Sequence, residues 1–227
     1  MGSSGCFTVT LINAIACLKG KKISNREMAK IACDIEIETL KEPIGKQDQF
    51  TTSYPGINEF FFMKNGSVRV KKLNIKKNVI KKIKKNLVMY FTGYSRSSYK
   101  ILQNQNKASK INDNEMLKNL HSVKELAKDF KDCLIKNNLD QYGLLMDEHW
   151  NLKKKRSRHM SNKRINYLYD YAKENGALGG KLIGAGGGGF LIFYTNNPTL
   201  LDTRMELKGL YRTNFNIEYE GPKILAR

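Results

Sequence analysis

Gly179-Gly180-Lys181-Leu182-Ile183-Gly184-Ala185-Gly186-Gly187-Gly188-Gly189-Phe190 is the most unusual stretch of the sequence. Four consecutive glycines stand between two apolar runs, 181–183 and 189–194, that read as strands. Ordering such a run costs more conformational entropy than any other sequence, so it persists only for a reason. A flexible linker would be flanked by polar filler, not by strands bound for a core. The stretch predicts a loop whose bare backbone admits the close approach of a ligand.

A helix near 198–209 and a strand near 214–219 are expected after this loop. Before it lies a helical region, about 97–175, with breaks near 109–112, 136–138 and 157–161. Met116, Leu117, Leu120, Val123, Leu126, Ala127 and Phe130 recur there at helical spacing and read as core. Leu87 to Phe91 is a buried-strand run. Residues 74–85 are lysine-rich and predict a linker or an exposed helix. Runs 57–63 and 67–73, joined by Lys64-Asn65-Gly66, predict a hairpin. Ser24 and Glu27 form a capping-box pattern for a helix running to about Leu40, with Pro43 and Gly45 beyond it. Residues 4–18 read as an almost wholly apolar helix, expected to be central, and Gly20 ends it.

Composition bounds the function. The chain has 227 residues, 41% of them hydrophobic, which predicts a globular fold. No apolar run approaches the roughly 18 residues that span a bilayer. No secretory pattern opens the sequence, so a cytoplasmic location is expected. Cys6, Cys17, Cys33 and Cys133 lie at neither Cys-x-x-Cys nor metal-ligand spacing. They read as buried thiols. The net charge of +19 admits three explanations: nucleic-acid binding, attraction of a phosphorylated substrate, or general lysine richness. The lysines fall in surface pairs, as at Lys71-Lys72 and Lys84-Lys85, without aromatic interleaving. A nucleic-acid role is therefore not expected.

Two further segments carry chemistry. Gly2-Ser3-Ser4-Gly5 opens the helix 4–18, where free backbone N–H groups and a partial positive charge suit a phosphate. Read alone, it equally fits a serine cap or an expression-tag remnant. Asp34, Glu36 and Glu38 cannot share one helical face, so some point toward the interior or a cleft. An inward carboxylate beside phosphates suits Mg²⁺, and a solvated helix face is the plainer reading. Asp48 follows the Pro43–Gly45 break in a polar loop, placed to accept a proton from a substrate hydroxyl.

Taken together, the segments resemble the GHMP kinases, a family that includes galactokinase, homoserine kinase, mevalonate kinase and phosphomevalonate kinase. Gly2-Ser3-Ser4-Gly5 is similar to the end of that family's second motif, and Lys181 to Gly189 is similar to its third. Glu42-Pro43-Ile44-Gly45-Lys46-Gln47-Asp48-Gln49 resembles the branch containing D-glycero-D-manno-heptose 7-phosphate kinases. So do Tyr90 to Ser97, His149-Trp150-Asn151-Leu152-Lys153-Lys154-Lys155 and Asn175 to Lys181. The resemblance argues against the tag reading of the start.

The resemblance implies a two-lobed α+β fold. Residues 1–84 would be a remnant of the ATP-binding lobe, and 85–227 a ferredoxin-like lobe with added helices. It implies ATP and Mg²⁺ as cofactors. Gly2, Ser3, Ser4 and Gly5 would meet the ATP phosphates, Ser4 and Glu36 the metal, and Asp48 the acceptor hydroxyl as catalytic base. Gly184, Ala185, Gly186, Gly187 and Gly188 would shape the substrate site. Arg96 is a candidate for a sugar phosphate, or a plain surface arginine. The expected reaction is phosphorylation of a sugar or sugar-phosphate, foremost the anomeric hydroxyl of D-glycero-D-manno-heptose 7-phosphate, in making activated heptose for surface polysaccharide. A galactokinase- or fucokinase-like enzyme, or an inactive ligand-binding remnant, is the alternative. The family's first motif and the start of its second are missing, which implies an N-terminally truncated member. Helix 4–18 would then expose an apolar face and favour association into a homo-oligomer.

Overall fold

The computed structural model describes residues 2–94, 102–103, 114–157 and 159–225. The chain divides into two compact units, one running to Asn74 and resuming at Ile217, the other spanning Ile75–Asn216.

The first unit is built from three helices and a hairpin. Helix α1 spans Ser3–Leu18 and α2 spans Asn25–Cys33. Ser24 caps α2 by accepting from the Glu27 backbone, while the Glu27 carboxylate accepts from Ser24 in return. The chain continues through a π-helical turn, Asp34–Thr39, so the helix does not run unbroken to Leu40. Helix α3 spans Gln47–Ser53. Strands β1 (Asn58–Phe62) and β2 (Val68–Lys72) pair antiparallel. Gly66 supplies the positive φ of 76° that the turn between them needs. Ala29, Cys33, Phe50 and Val68 form one buried cluster, and Val9, Met28 and Ala32 another.

Helix α1 departs from the expectation of a central helix. Only Gly5 and Val9 are buried, whereas Phe7 is 70% and Leu18 88% exposed. One side packs on α2 and α3; Phe7, Leu11 and Ile15, at four-residue intervals, face outward. The expected exposed apolar stripe is present. Cys33 and Cys133 are buried, but Cys6 on α1 is exposed, contrary to the reading of all four thiols as interior.

The second unit starts with α4 (Lys77–Asn86), which leads into β3 (Leu87–Phe91). Its Val79 and Ile83 bury against Leu87, Leu139, Met146 and Tyr194. This helix therefore belongs with the second unit, and the break falls at 74/75 rather than 84/85. Helices α5 (Asn114–Lys136), α6 (Leu139–Lys154) and α7 (Lys163–Glu174) follow, then β4 (Ala177–Leu182), β5 (Phe190–Thr195) and α8 (Pro198–Glu206). The sheet order is β3-β5-β4, all antiparallel. An isolated bridge joins Arg212 to Tyr90 on the free edge of β3. The bridge stands where a fourth strand completes a ferredoxin-like sheet. The expected strand at 214–219 does not form; beyond Thr213, which donates to Met89, the chain turns away to rejoin the first unit.

Helix α6 lies directly on β4. A Cβ at Gly179 would stand 2.0 Å from the Gly143 carbonyl oxygen, so the two backbones touch. The core beneath includes Trp150, Tyr169, Phe193, Leu182 and Leu191. No helix among the described residues is long and apolar enough to cross a membrane. Gly179→Ala is expected to destabilise the second unit by about 1–3 kcal/mol through overpacking against backbone. Gly45→Ala meets nothing within 4 Å and is expected to be near neutral. Urea unfolding measures both, and an unchanged midpoint for Gly179→Ala would contradict the packing described.

Candidate functional site

The site in the first unit grows from two glycines. A Cβ at Gly5 would stand 3.2 Å from the backbone carbon of Asp48 and from the amide nitrogen of Gln49. One at Gly2 would stand 2.9 Å from the Asp48 carboxyl carbon. Their lack of side chains lets the first turn of α1 rest on the first turn of α3. This brings the Asp48 carboxyl beside the N-terminus of α1. Gly2 adopts φ 71°, and no side chain caps the helix it opens. The first-turn N–H groups thus keep their capacity to bind an anion, with the positive end of the helix dipole behind them.

The π-turn sets the third member. Widening the helix at Asp34–Thr39 rotates Glu36 inward, to 3% exposure, while Asp34 and Glu38 stay outside. Of the three acids in the sequence pattern, Glu36 alone turns in. Its Oε1 accepts from the Thr8 hydroxyl at 3.1 Å, and its Oε2 accepts from the Gln49 amide. Thr8 lies one helical turn below Ser4, so the Ser4 hydroxyl shares the face of α1 that meets Glu36. Burial pushes the Asp48 carboxyl above the ordinary carboxylate range, and the negative charge of Glu36 adds to it.

Gly2, Ser3, Ser4, Gly5, Glu36 and Asp48 are thus gathered within one unit. The donor set there suits a hard cation: a buried carboxylate bonded only by neutral groups, a hydroxyl a turn above its partner, and a second carboxylate nearby. Gln49 Oε1 is buried without a partner, a further oxygen turned into the same region. Thr8 and Gln49 were not singled out from sequence. The signal for Thr8 was its place four residues after Ser4, and for Gln49 its place next to Asp48.

The glycine loop lies in the second unit and is ordered by that unit. Gly184, Gly186, Gly187 and Gly189 all have positive φ, which explains the residue type. Gly187 donates to the Met160 carbonyl at 3.0 Å, and Gly189 to the Tyr94 carbonyl at 2.9 Å. A Cβ at Gly186 would collide with Met160. Part of the close approach these glycines permit is therefore to the protein's own backbone. Lys153 of α6 donates to the Leu182 and Gly184 carbonyls, at 2.9 and 2.5 Å, and holds the loop's entry. Gly184 remains exposed, with nothing within 4 Å of its Cβ position. Arg96 lies outside the described residues.

Residues 1–56 match the GHMP kinase N-terminal domain, and residues 125–203 match the GHMP kinase C-terminal domain. The first match contains Ser4, Glu36 and Asp48; the second contains the glycine loop. The D-glycero-alpha-D-manno-heptose 7-phosphate kinase of Campylobacter jejuni is 31% identical over 98% of this chain, which spans 66% of that protein. The structure of a putative sugar kinase from C. jejuni superposes with TM-score 0.72 at 28% identity, over 96% of this chain and 63% of its own. A D-glycero-D-manno-heptose 1-phosphate kinase from Bacteroides thetaiotaomicron shares the fold, with TM-score 0.75 at 23% identity, over 100% of this chain and 64% of its own. With a family domain matched toward each end in the expected order, and a 31% identical relative along nearly its whole length, the chain belongs to the GHMP kinase family.

Proposed function

We propose that this chain carries the phosphoryl-transfer machinery of an ATP-dependent sugar kinase, whose acceptor is the anomeric hydroxyl of a heptose 7-phosphate. The observation that carries this reading is the approach of Asp48 to the N-terminus of α1, made close by Gly2 and Gly5. A proton acceptor beside an anion-binding helix end is what transfer from a nucleotide to an alcohol requires. The heptose assignment is supported by similarity to the C. jejuni heptose 7-phosphate kinase.

The geometry supports the following roles. Backbone N–H groups at Ser3, Ser4 and Gly5 hold phosphate oxygens of ATP. Ser4 and Glu36 would hold Mg²⁺, which would neutralise charge on the phosphates. Thr8 and Gln49 fix the Glu36 carboxylate so that it need not reorganise. Asp48 orients the sugar hydroxyl and takes its proton. A carboxyl pushed above its ordinary range is a stronger proton acceptor than a free one.

Asp48→Asn gives a paired prediction. Phosphorylation of the heptose 7-phosphate is expected to fall about 10²–10⁴-fold. Stability moves the other way. The folded protein holds the Asp48 proton more tightly than the unfolded chain does, so this group's contribution is present in acid and lost as pH rises through the raised value. The Asn variant is therefore expected to melt no lower than the parent at pH 7, with no advantage in acid. Transfer assays with heptose 7-phosphate, galactose and fucose, beside melting curves, check both arms. Undiminished turnover in the variant would remove Asp48 from the chemistry; preferred turnover of galactose or fucose would reassign the acceptor.

A further inference from the structure

The second unit holds a cluster of basic side chains that no acid among the described residues balances. His149, Lys153 and Arg156 lie at i, i+4 and i+7 along α6 and the turn just after it, and share one face. Lys181 comes from β4, the strand on which that helix rests. Among the described residues, no carboxylate forms an ion pair with any of the four. The nearby Asp147 is already engaged by the Tyr169 hydroxyl at 2.5 Å and by Lys173 at 3.6 Å.

The cost of this arrangement is visible in the groups themselves. Burial, compounded by Lys181 and Arg156, pulls the Lys153 ammonium down to about 7. Burial, then Lys181, Lys153 and Arg156, pulls the His149 imidazole to about 3, so it is neutral at pH 7. Burial, then Arg156, lowers Lys181. A buried cation without a partner is costly, and removing it is normally stabilising.

Donors are also left over. Lys153 uses Nζ on the Leu182 and Gly184 carbonyls, and Arg156 uses Nε on Asn119. Among the described residues, Arg156 Nη2, His149 Nδ1 and Trp150 Nε1 are buried without a partner, the last on a side chain with no exposed surface. The Lys181 backbone pairs with β5, but its ammonium makes no side-chain hydrogen bond among the described residues. Unspent donors and uncompensated positive charge next to the glycine loop match one chemistry: a compact, multiply charged oxyanion.

We propose that His149, Arg156 and Lys181 form a binding site for the phosphate ester of a sugar-phosphate acceptor, with Lys153 positioning the glycine loop beside it. The word acceptor rests on the sugar-kinase reading; the phosphate site does not. All four residues belong to the second unit, whereas the helix N-terminus proposed for the nucleotide's phosphates belongs to the first. Specificity follows directly. A sugar lacking the ester leaves the cluster uncompensated and is rejected.

The chain carries its own reporter, because Trp150 is its one tryptophan and neighbours His149 on α6. Fluorescence titrations would use a heptose 7-phosphate, the same heptose without its phosphate, inorganic phosphate and ATP. A saturable change is expected with heptose 7-phosphate and with inorganic phosphate, and none with the bare sugar. Lys181→Met and Arg156→Gln are each expected to weaken phosphate binding about tenfold or more. Lys181→Arg is expected to retain binding. Melting curves of all variants separate lost binding from lost fold, since removing an unpaired cation should not lower the melting temperature. No saturable response to either anion, an equal response to the bare heptose, binding of inorganic phosphate alone, or displacement of inorganic phosphate by ATP would each overturn the proposal. A transfer assay run alongside keeps the two readings apart. Binding without turnover would leave the phosphate site and remove the kinase reading; turnover without binding would do the reverse.

Discussion

The contact of two side-chain-free positions on α1 with the first turn of α3 is the constraint on which the site depends. Gly5 allows α1 to reach the backbone of Asp48 and Gln49, and Gly2 allows the Asp48 carboxyl to stand against the helix end. A methyl group at either position would push the helices apart by tenths of an ångström. The separation would move Asp48 from the N–H groups and strain the Thr8–Glu36–Gln49 chain of hydrogen bonds below. The proposed function needs that chain because catalysis by positioning and charge tolerates little slack. The π-turn belongs to the same arrangement, since an α-helical path would not leave Glu36 alone facing in.

The second unit solves a different problem with the same residue type. Its glycine loop is fastened to Met160 and Tyr94 rather than left free, and Lys153 ties the loop's entry to α6. Close packing of α6 on β4, enforced at Gly143 and Gly179, sets where His149, Lys153 and Arg156 stand relative to Lys181. Ordering a glycine-rich loop costs backbone entropy. Gathering cations costs desolvation. The unit bears both costs in one place, which is the pattern expected of a site rather than of a scaffold.

Much of this was legible in the residues. The hairpin at Asn65-Gly66, the capping box at Ser24 and the strands flanking the glycine loop all rest on local rules that tertiary context did not override. Glu36 and Asp48 were readable as candidates because acids alternating with isoleucines, and an acid beyond a Pro–Gly break, are locally odd. The exposure of Phe7 and Leu18 was legible from the missing opening motifs and not from periodicity, which cannot report what covers α1. Two features were not legible. The place of α4 in the second unit turns on Val79 and Ile83, two apolar positions hidden in a lysine-rich run. The basic cluster needs β4 to bring Lys181 to α6, a contact thirty residues distant in sequence and visible only in the fold.

The central claim is that the N-terminus of α1, Glu36 and Asp48 act as one phosphate-handling site. Amide hydrogen exchange of the first turn of α1 tests it most directly, with and without a non-hydrolysable ATP analogue and Mg²⁺. The account predicts that the amides of Ser3, Ser4 and Gly5 become protected when nucleotide and metal are both present, and that Glu36→Gln reduces the metal-dependent part of that protection. Unprotected amides at saturating nucleotide, or protection indifferent to both Mg²⁺ and Glu36, would contradict it.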